Sequence, residues 1–425
     1  MRSISISADI AIAVIGGGAV GQAIAYSLGR AGKEVVVVEA CRHDRIENQS
    51  TRNSGVIHAG LYYEQKSQPL KARLCVQGNS RIYEFCQEYG VPHQRTGKIV
   101  VATDEREKGY LQPLLQTARE NGVPDVEMIG QVRINELEAN VRGCAALYLP
   151  SSGVIDSAAY LRALHQQSGA HTLWGTKVLA VTKVQSGFEI RTLCGGKESR
   201  FIAGQVVNSA GLYADEVARM INPESPYDIM AVRGESVKFY TSRRPTLTMH
   251  GLNVYPVPCG FYKETGHRAL LSYVDYCNAL ASGGVVATTG VHLTPTLDSE
   301  GNISSTVSVG PALTLGMGKE NFGGKLRNLE YYHSQVSHFF PALEVADMEL
   351  HQTGIQARLA DHRDWIIERD SHESDFINLI GIDSPGLTAS LAIAREVVDL
   401  LTPSGELASV RMPVRAERAD PKDET

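Results

Sequence analysis

The chain lacks any cysteine motif. Its seven cysteines (41, 75, 86, 144, 194, 259 and 277) are odd in number, scattered and never spaced C-x-x-C. That excludes a zinc knuckle and a disulfide framework, and it fits reduced, intracellular thiols; no metal site is expected. Apolar runs are short, none approaching the ~18 residues of a membrane span, so no integral membrane segment is expected. Basic excess is missing too: 41 Lys and Arg face 47 Asp and Glu, a net charge of −6, with no long basic run. A nucleic-acid partner is therefore not expected. Only nine residues precede the first strand-like run, which leaves no room for a signal or transit peptide and points to a cytoplasmic protein. There is no internal repeat and no low-complexity tract, which excludes a solenoid, a collagen or a disordered chain.

What the chain does have is glycine, 40 among 425 residues, above the typical ~7%. Glycine serves turns and places where backbone closely approaches something else. The informative cluster comes early. Residues 10–15 (IAIAVI) form a continuous apolar run of strand length, as in a parallel strand buried on both faces. Gly16-Gly17-Gly18-Ala19-Val20-Gly21 follows at once, giving G-x-G-x-x-G, and a helix is expected over 19–31 with Gly32 as its stop. A second strand over 34–38 closes on Glu39, 18 residues beyond Gly21. The glycine spacing alone is a weak signal. Strand before, helix after and an acid ending the second strand make it a dinucleotide fingerprint. Gly16 permits the turn, Gly18 lets backbone reach a pyrophosphate, and Gly21 lets helix and strand pack closely. Glu39 is expected to accept from ribose hydroxyls and to repel a 2′-phosphate, which disfavours NADP.

An NAD domain would continue with regular βαβ units. This chain enters a polar loop from Cys41 to Tyr63 instead, carrying Arg42, Arg45, Arg52 and the run Ser50-Thr51-Arg52-Asn53-Ser54-Gly55-Val56-Ile57-His58-Ala59-Gly60. Such a loop suits a cofactor longer than NAD. Residues 53–63 (NSGVIHAGLYY), 71–78 (KARLCVQG), 97–102 (GKIVVA), 207–211 (VNSAG), 255–258 (YPVP), 290–294 (GVHLT) and 381–394 (GIDSPGLTASLAIA) resemble the L-2-hydroxyglutarate dehydrogenase/oxidase group. That group lies within the D-amino-acid-oxidase-like FAD oxidoreductases, and the resemblance spans about residues 8–402. It implies an α/β fold: a Rossmann-like FAD-binding domain of discontinuous segments (1–88, 145–220, 350–405). A β-rich α+β substrate domain (89–144, 221–349) is interleaved with it, and a polar tail (406–425) follows. The implied cofactor is FAD, with contacts at Gly16, Gly18, Ala19, Val20, Gly21, Glu39, Ala40, Ser50, Thr51, Asn53, Ser54, Gly55, Val178, Gly211, Gly386, Leu387 and Thr388. The implied reaction is oxidation of the CH–OH of a small 2-hydroxy carboxylate, with oxygen or a quinone as electron acceptor. Peripheral membrane contact stays open for a quinone-linked enzyme. The wider superfamily also oxidises CH–NH bonds of amino acids and amines, and a non-catalytic flavin-binding protein is the third reading.

Along the chain, helices are expected over 70–89, 105–121, 157–169 (Asp156 as N-cap), from 212 through Met220, over 331–339 and over 388–401. Strands are expected over 98–102 and alternating across 173–207, with turns at Ser186-Gly187 and Gly195-Gly196. From 232 to 309 the pattern is β-rich and poor in helix signals. For the chemistry, the candidates are His58, His292 and Arg358. A neutral imidazole suits removal of a hydroxyl proton near pH 7, and His58, in the loop beside the cofactor, is read either as that base or as a scaffold. His292 is the second candidate. A hydroxy acid also needs a cation for its carboxylate. The resembled group carries Arg where this chain has Gln356; either Arg358, two residues on and on the same face if the stretch is a strand, takes its place, or Gln356 recognises something uncharged. The stretch 259–289 is longer than the group's pattern and is expected to reshape the substrate mouth. The helix start at 386–388 is expected to face the flavin, its dipole favouring negative charge there.

Overall fold

The computed structural model describes residues 8–43, 47–262, 268–324 and 326–401. Arg45 and the expected tail over 406–425 lie outside these residues. Two eight-stranded sheets carry the structure. The first grows from Ile10–Ile15, whose residues 12–15 are buried because the strand has parallel partners on both sides, Val35–Glu39 and Lys197–Asn208. His171–Trp174 extends this sheet beyond Val35–Glu39. On the other side Phe376–Ile380 adds parallel to Lys197–Asn208, which also forms an antiparallel meander with Thr176–Val184 and Gly187–Cys194. Segments from the start, the middle and the end of the chain thus meet in one sheet.

Three helices cover its face. Ala19–Arg30, Pro69–Tyr89 and Gly386–Leu401 share one apolar core with Ile12, Val14, Val37, Val207, Ile377 and Leu379. The last two helices nearly touch: a Cβ on Gly78 would stand 2.3 Å from Thr388 O, so only glycine permits that approach. Asp156 caps the helix Ser157–Ser168 by accepting from the Ala158 and Ala159 N–H groups, both at 2.9 Å.

The second sheet runs in the order Glu349–Leu359, Ile229–Tyr240, Ile303–Leu315, His292–Leu297, Asn253–Pro256, Lys98–Ala102, Ala145–Leu149, Glu127–Gly130. The resemblance groups 145–149 and 350–359 with the cofactor segments. Their hydrogen bonds put them here, against Lys98–Ala102 and Ile229–Tyr240 respectively. The helix expected over 105–121 is broken at Gly109 into Glu105–Lys108 and Leu111–Glu120. The stretch read as helix-poor contains a helix, Tyr273–Ala281, capped by Ser272 Oγ accepting from Asp275 N at 3.2 Å. Its β-branched and aromatic residues carry little helix signal. All seven cysteines are free. Among the described residues no helix is long and apolar enough to cross a membrane.

Candidate active site

A cleft of about 1630 Å³ is lined by residues of both sheets. Small-ligand pockets are typically ~300–1,000 Å³, so this one has room for an extended cofactor with a substrate beside it. One end sits at the carboxyl ends of Ile10–Ile15 and Val35–Glu39, where doubly wound sheets bind nucleotides. Gly16 makes the turn with φ +101°, and a Cβ on Gly21 would lie 1.9 Å from Gly16 O. Glu39 is buried: Oε2 accepts from Gly17 N (2.6 Å) and Oε1 from Cys41 N (2.7 Å). The carboxylate therefore fastens the glycine loop as well as lining the cleft, and a second lone pair on each oxygen stays available to ribose hydroxyls. Burial and the neighbouring Glu39 push the Cys41 thiol up to about 11.

Ser50 Oγ accepts from Ala19 N at 2.8 Å, bringing the polar loop onto the start of the first helix. Asn53 stiffens that loop by donating to Ser50 O (2.6 Å) and accepting from Gly55 N (2.8 Å). Two further bonds stitch it to the second sheet: Ile355 N to Gln49 Oε1 at 2.7 Å and Gln352 Nε2 to Asn53 O at 2.8 Å. Of the residues singled out in the sequence, Gly16, Gly18, Ala19, Val20, Gly21, Glu39, Ala40, Ser50, Asn53, Ser54, Val178, Gly211, Gly386 and Leu387 line the cleft, as do His58, His292 and Arg358. Thr51, Gly55 and Thr388 do not line it. Thr51 donates to Asn48 O. Gly55 is pressed against Ile155 O. Thr388 Oγ1 accepts from His58 N (3.0 Å) and donates to Val56 O (3.3 Å), so it locks the backbone that presents His58.

The donor set fits FAD. Bare backbone faces the cleft at Gly18 and Gly211, and a Cβ on Gly211 would meet nothing within 4 Å. Two helix N-termini, at Ala19 and Gly386, open onto the cleft and favour negative charge.

At the other end, alternation along the strands brings three groups together. Lys98 pairs with Asn253, and Val254 pairs with Leu293, so Lys98, Tyr255 and His292 share one face. The His292 ring stacks on Tyr255 at 3.7 Å and 12°. Its Nδ1 lies 2.9 Å from Gly290 O and donates there, which leaves Nε2 as an acceptor. Burial lowers its pKa to about 3. His58 is likewise held well below the usual imidazole value, first by burial and then by the charge of Lys98. Both imidazoles are thus neutral at pH 7. His58 Nε2 lies 3.3 Å from Ser384 Oγ, and His58 O accepts from Asn79 Nδ2 at 2.9 Å.

Lys98 is 1% exposed. Its ammonium lies 4.0 Å from the Tyr255 ring centroid and 5.7 Å from that of Tyr62, and it makes no ion pair among the described residues. Burial lowers it from 10.5 to about 7. Lys98 is not among the candidates that the sequence motifs single out. The available signal was a charged residue inside an otherwise apolar strand, KIVVA. Arg358 Nε donates to Gln356 Oε1 at 3.0 Å and lies 3.5 Å from Asp383 Oδ2. Asp383 also holds Lys71 Nζ at 2.9 Å and accepts from Trp365 Nε1 at 3.2 Å. Two cations therefore share the Asp383 carboxylate, while the Asp364 carboxylate is engaged by the Leu70 and Lys71 N–H groups.

Comparison with known proteins agrees with this architecture. The family model described as "FAD dependent oxidoreductase" (DAO) matches residues 11–400. Mitochondrial L-2-hydroxyglutarate dehydrogenase of Caenorhabditis elegans is 28% identical over 413 residues, covering 91% of this chain and 92% of that protein. A glycerol 3-phosphate dehydrogenase of Caloramator mitchellensis is also 28% identical, over 397 residues, covering 92% and 73%. Among solved structures, the L-alpha-glycerophosphate oxidase of Mycoplasma pneumoniae, with FAD bound, superposes with a TM-score of 0.76 at 25% identity, covering 92% and 94%. L-proline dehydrogenase from P. horikoshii shares the fold, with a TM-score of 0.71 at 19% identity over 93% and 94% of the two chains.

Proposed function

The chain belongs to the FAD-dependent oxidoreductase family and is an FAD-dependent dehydrogenase or oxidase of a small molecule; from that premise we propose that it oxidises the CH–OH of a 2-hydroxy carboxylate to the 2-oxo acid. The observation carrying this reading is the pairing, in one cleft, of neutral His58 and His292 with the cations Arg358 and Lys71, which have only Asp383 as their shared ion-pair partner among the described residues.

FAD, when bound, supplies the hydride acceptor. The glycine loop, Glu39, Ser50, Asn53, Val178 and Gly211 would hold its nucleotide half, and the backbone at Gly386 and Leu387 its flavin. Arg358, steadied by Gln356 and Asp383, binds the substrate carboxylate. His58 takes the hydroxyl proton at Nε2, where only the Ser384 hydroxyl competes. His292, fixed by Gly290 O and the Tyr255 ring, orients the hydroxyl through its free Nε2. Lys98 sets the readiness of His58: its positive form repels a proton on the imidazole, and its neutral form does not. Oxygen or a quinone completes turnover as the electron acceptor.

Anaerobic mixing of the FAD-loaded protein with 2-hydroxy acids and, separately, with amino acids tests this. Bleaching of the flavin absorbance by hydroxy acids alone supports the reading. Bleaching by amino acids alone replaces it with CH–NH oxidation.

A further inference from the structure

Besides Tyr255 and His292, the cleft is lined by residues of the segment 273–289, which wall a vestibule. The helix Tyr273–Ala281 and the short strand Val285–Val286 form the outer wall. Leu114, from the helix Leu111–Glu120, lines the same space. This segment is fastened in place. Buried Tyr110 donates its hydroxyl to Leu271 O at 3.0 Å, and its ring meets those of Tyr273 (5.3 Å) and Tyr276 (5.6 Å). These residues join the apolar cluster that also contains Tyr255, so the wall is continuous with the active end of the cleft.

The chemistry of that wall is one-sided. Leu114, Tyr273, Tyr276, Leu280 and Val285 face the cleft without a formal charge among them. The Tyr110 hydroxyl is occupied by backbone. The charges that reach Tyr273 and Tyr276 are Glu64 and Arg363, of opposite sign and both exposed at the rim, where water screens them. The buried cations Lys71 and Lys98, and the half-buried Arg358, are not part of this wall. A substrate whose carboxylate is held by Arg358 therefore sends its tail toward an aromatic and aliphatic surface. A second carboxylate there would lose its water without gaining a partner.

Resting on the hydroxy-acid reading above, we infer that the substrate is a 2-hydroxy acid with an apolar tail, aliphatic or aromatic, rather than a dicarboxylate. The vestibule is the tail subsite, and the segment 273–289 that walls it determines specificity.

The test is stopped-flow reduction of the FAD-loaded full chain by a homologous series from L-2-hydroxybutyrate to L-2-hydroxyhexanoate, with L-3-phenyllactate and L-2-hydroxyglutarate alongside. The apparent Kd is expected to fall about fourfold for each added methylene, the ~0.8 kcal/mol of burying one CH₂. Hydroxyglutarate should bind at least tenfold more weakly than hydroxyhexanoate. Leu280→Arg should erase the chain-length dependence and favour the dicarboxylate, with the flavin spectrum confirming a folded holoenzyme. A flat series with hydroxyglutarate preferred, lost in Arg363→Ala, overturns the apolar-tail assignment while leaving hydroxy-acid oxidation standing. If no hydroxy acid reduces the flavin, the underlying reading falls and the inference with it.

Discussion

Lys98 holds its ammonium 4.0 Å from the centre of the Tyr255 ring, in a wall that water does not reach. Attraction to the ring face offsets part of the cost of burial, yet burial wins and brings the lysine down to about 7. Its charge is therefore set by ambient pH, and it acts electrostatically on both imidazoles.

This gives the reductive step a pH dependence of definite sign. Below about pH 7 Lys98 is charged and opposes a proton on His58; above it, the opposition is lifted. The rate of flavin reduction is expected to rise with pH through an inflection near 7. In Lys98→Met that inflection should vanish, as followed by stopped-flow absorbance across pH 5.5–9. An unchanged profile in the variant would remove Lys98 from the proton chemistry.

Stability carries the same signature. The folded lysine is lowered to about 7, while the unfolded one keeps its ordinary value near 10.5. Between those values the unfolded chain binds more protons, so this group's contribution to stability rises with pH. The penalty is complete below about 7. Lys98→Met should raise the melting temperature most at pH 6, and the gain should shrink toward pH 10. Differential scanning calorimetry at the two values checks this, and a gain independent of pH would contradict it.

His58 separates base from scaffold. His58→Asn keeps a polar group on a backbone already fixed by Thr388 and Asn79. Loss of general-base catalysis should lower kcat by about 10²–10⁴ with FAD still bound at full stoichiometry. A variant that loses FAD but keeps its rate when saturated with cofactor would make His58 a cofactor scaffold.

Asp383 is the shared counter-ion of Lys71 and Arg358, and both it and Lys71 are nearly buried. Asp383→Asn leaves two cations facing one another without a carboxylate. Breaking a buried pair in this way costs about 3–5 kcal/mol, to be read from the midpoint of urea unfolding. The matching Lys71→Met change in the Asp383→Asn background should recover part of the loss, because it removes the stranded charge.

The sequence alone determined the nucleotide end of this protein. Strand Ile10–Ile15, the glycine loop, helix Ala19–Arg30 and Glu39 are consecutive, and their pattern follows from rules of the local chain: an apolar run, a positive φ at Gly16, a small residue where helix meets strand. The strand Lys98–Ala102 and the cap at Asp156 were legible for the same reason. Tertiary structure alone decided the rest. Nothing local says that Ala145–Leu149 and Glu349–Leu359 join the second sheet, since the strands that tie them into its middle, Lys98–Ala102 and Ile229–Tyr240, lie 43 or more residues away. The helix Tyr273–Ala281 gave no clear signal, because it is held by Tyr110 from another part of the chain as well as by its own cap. Lys98 read as one charge in a strand until sheet pairing set it beside Tyr255 and His292. Periodicity is a property of neighbouring residues, whereas burial of a charge depends on which distant strands close around it.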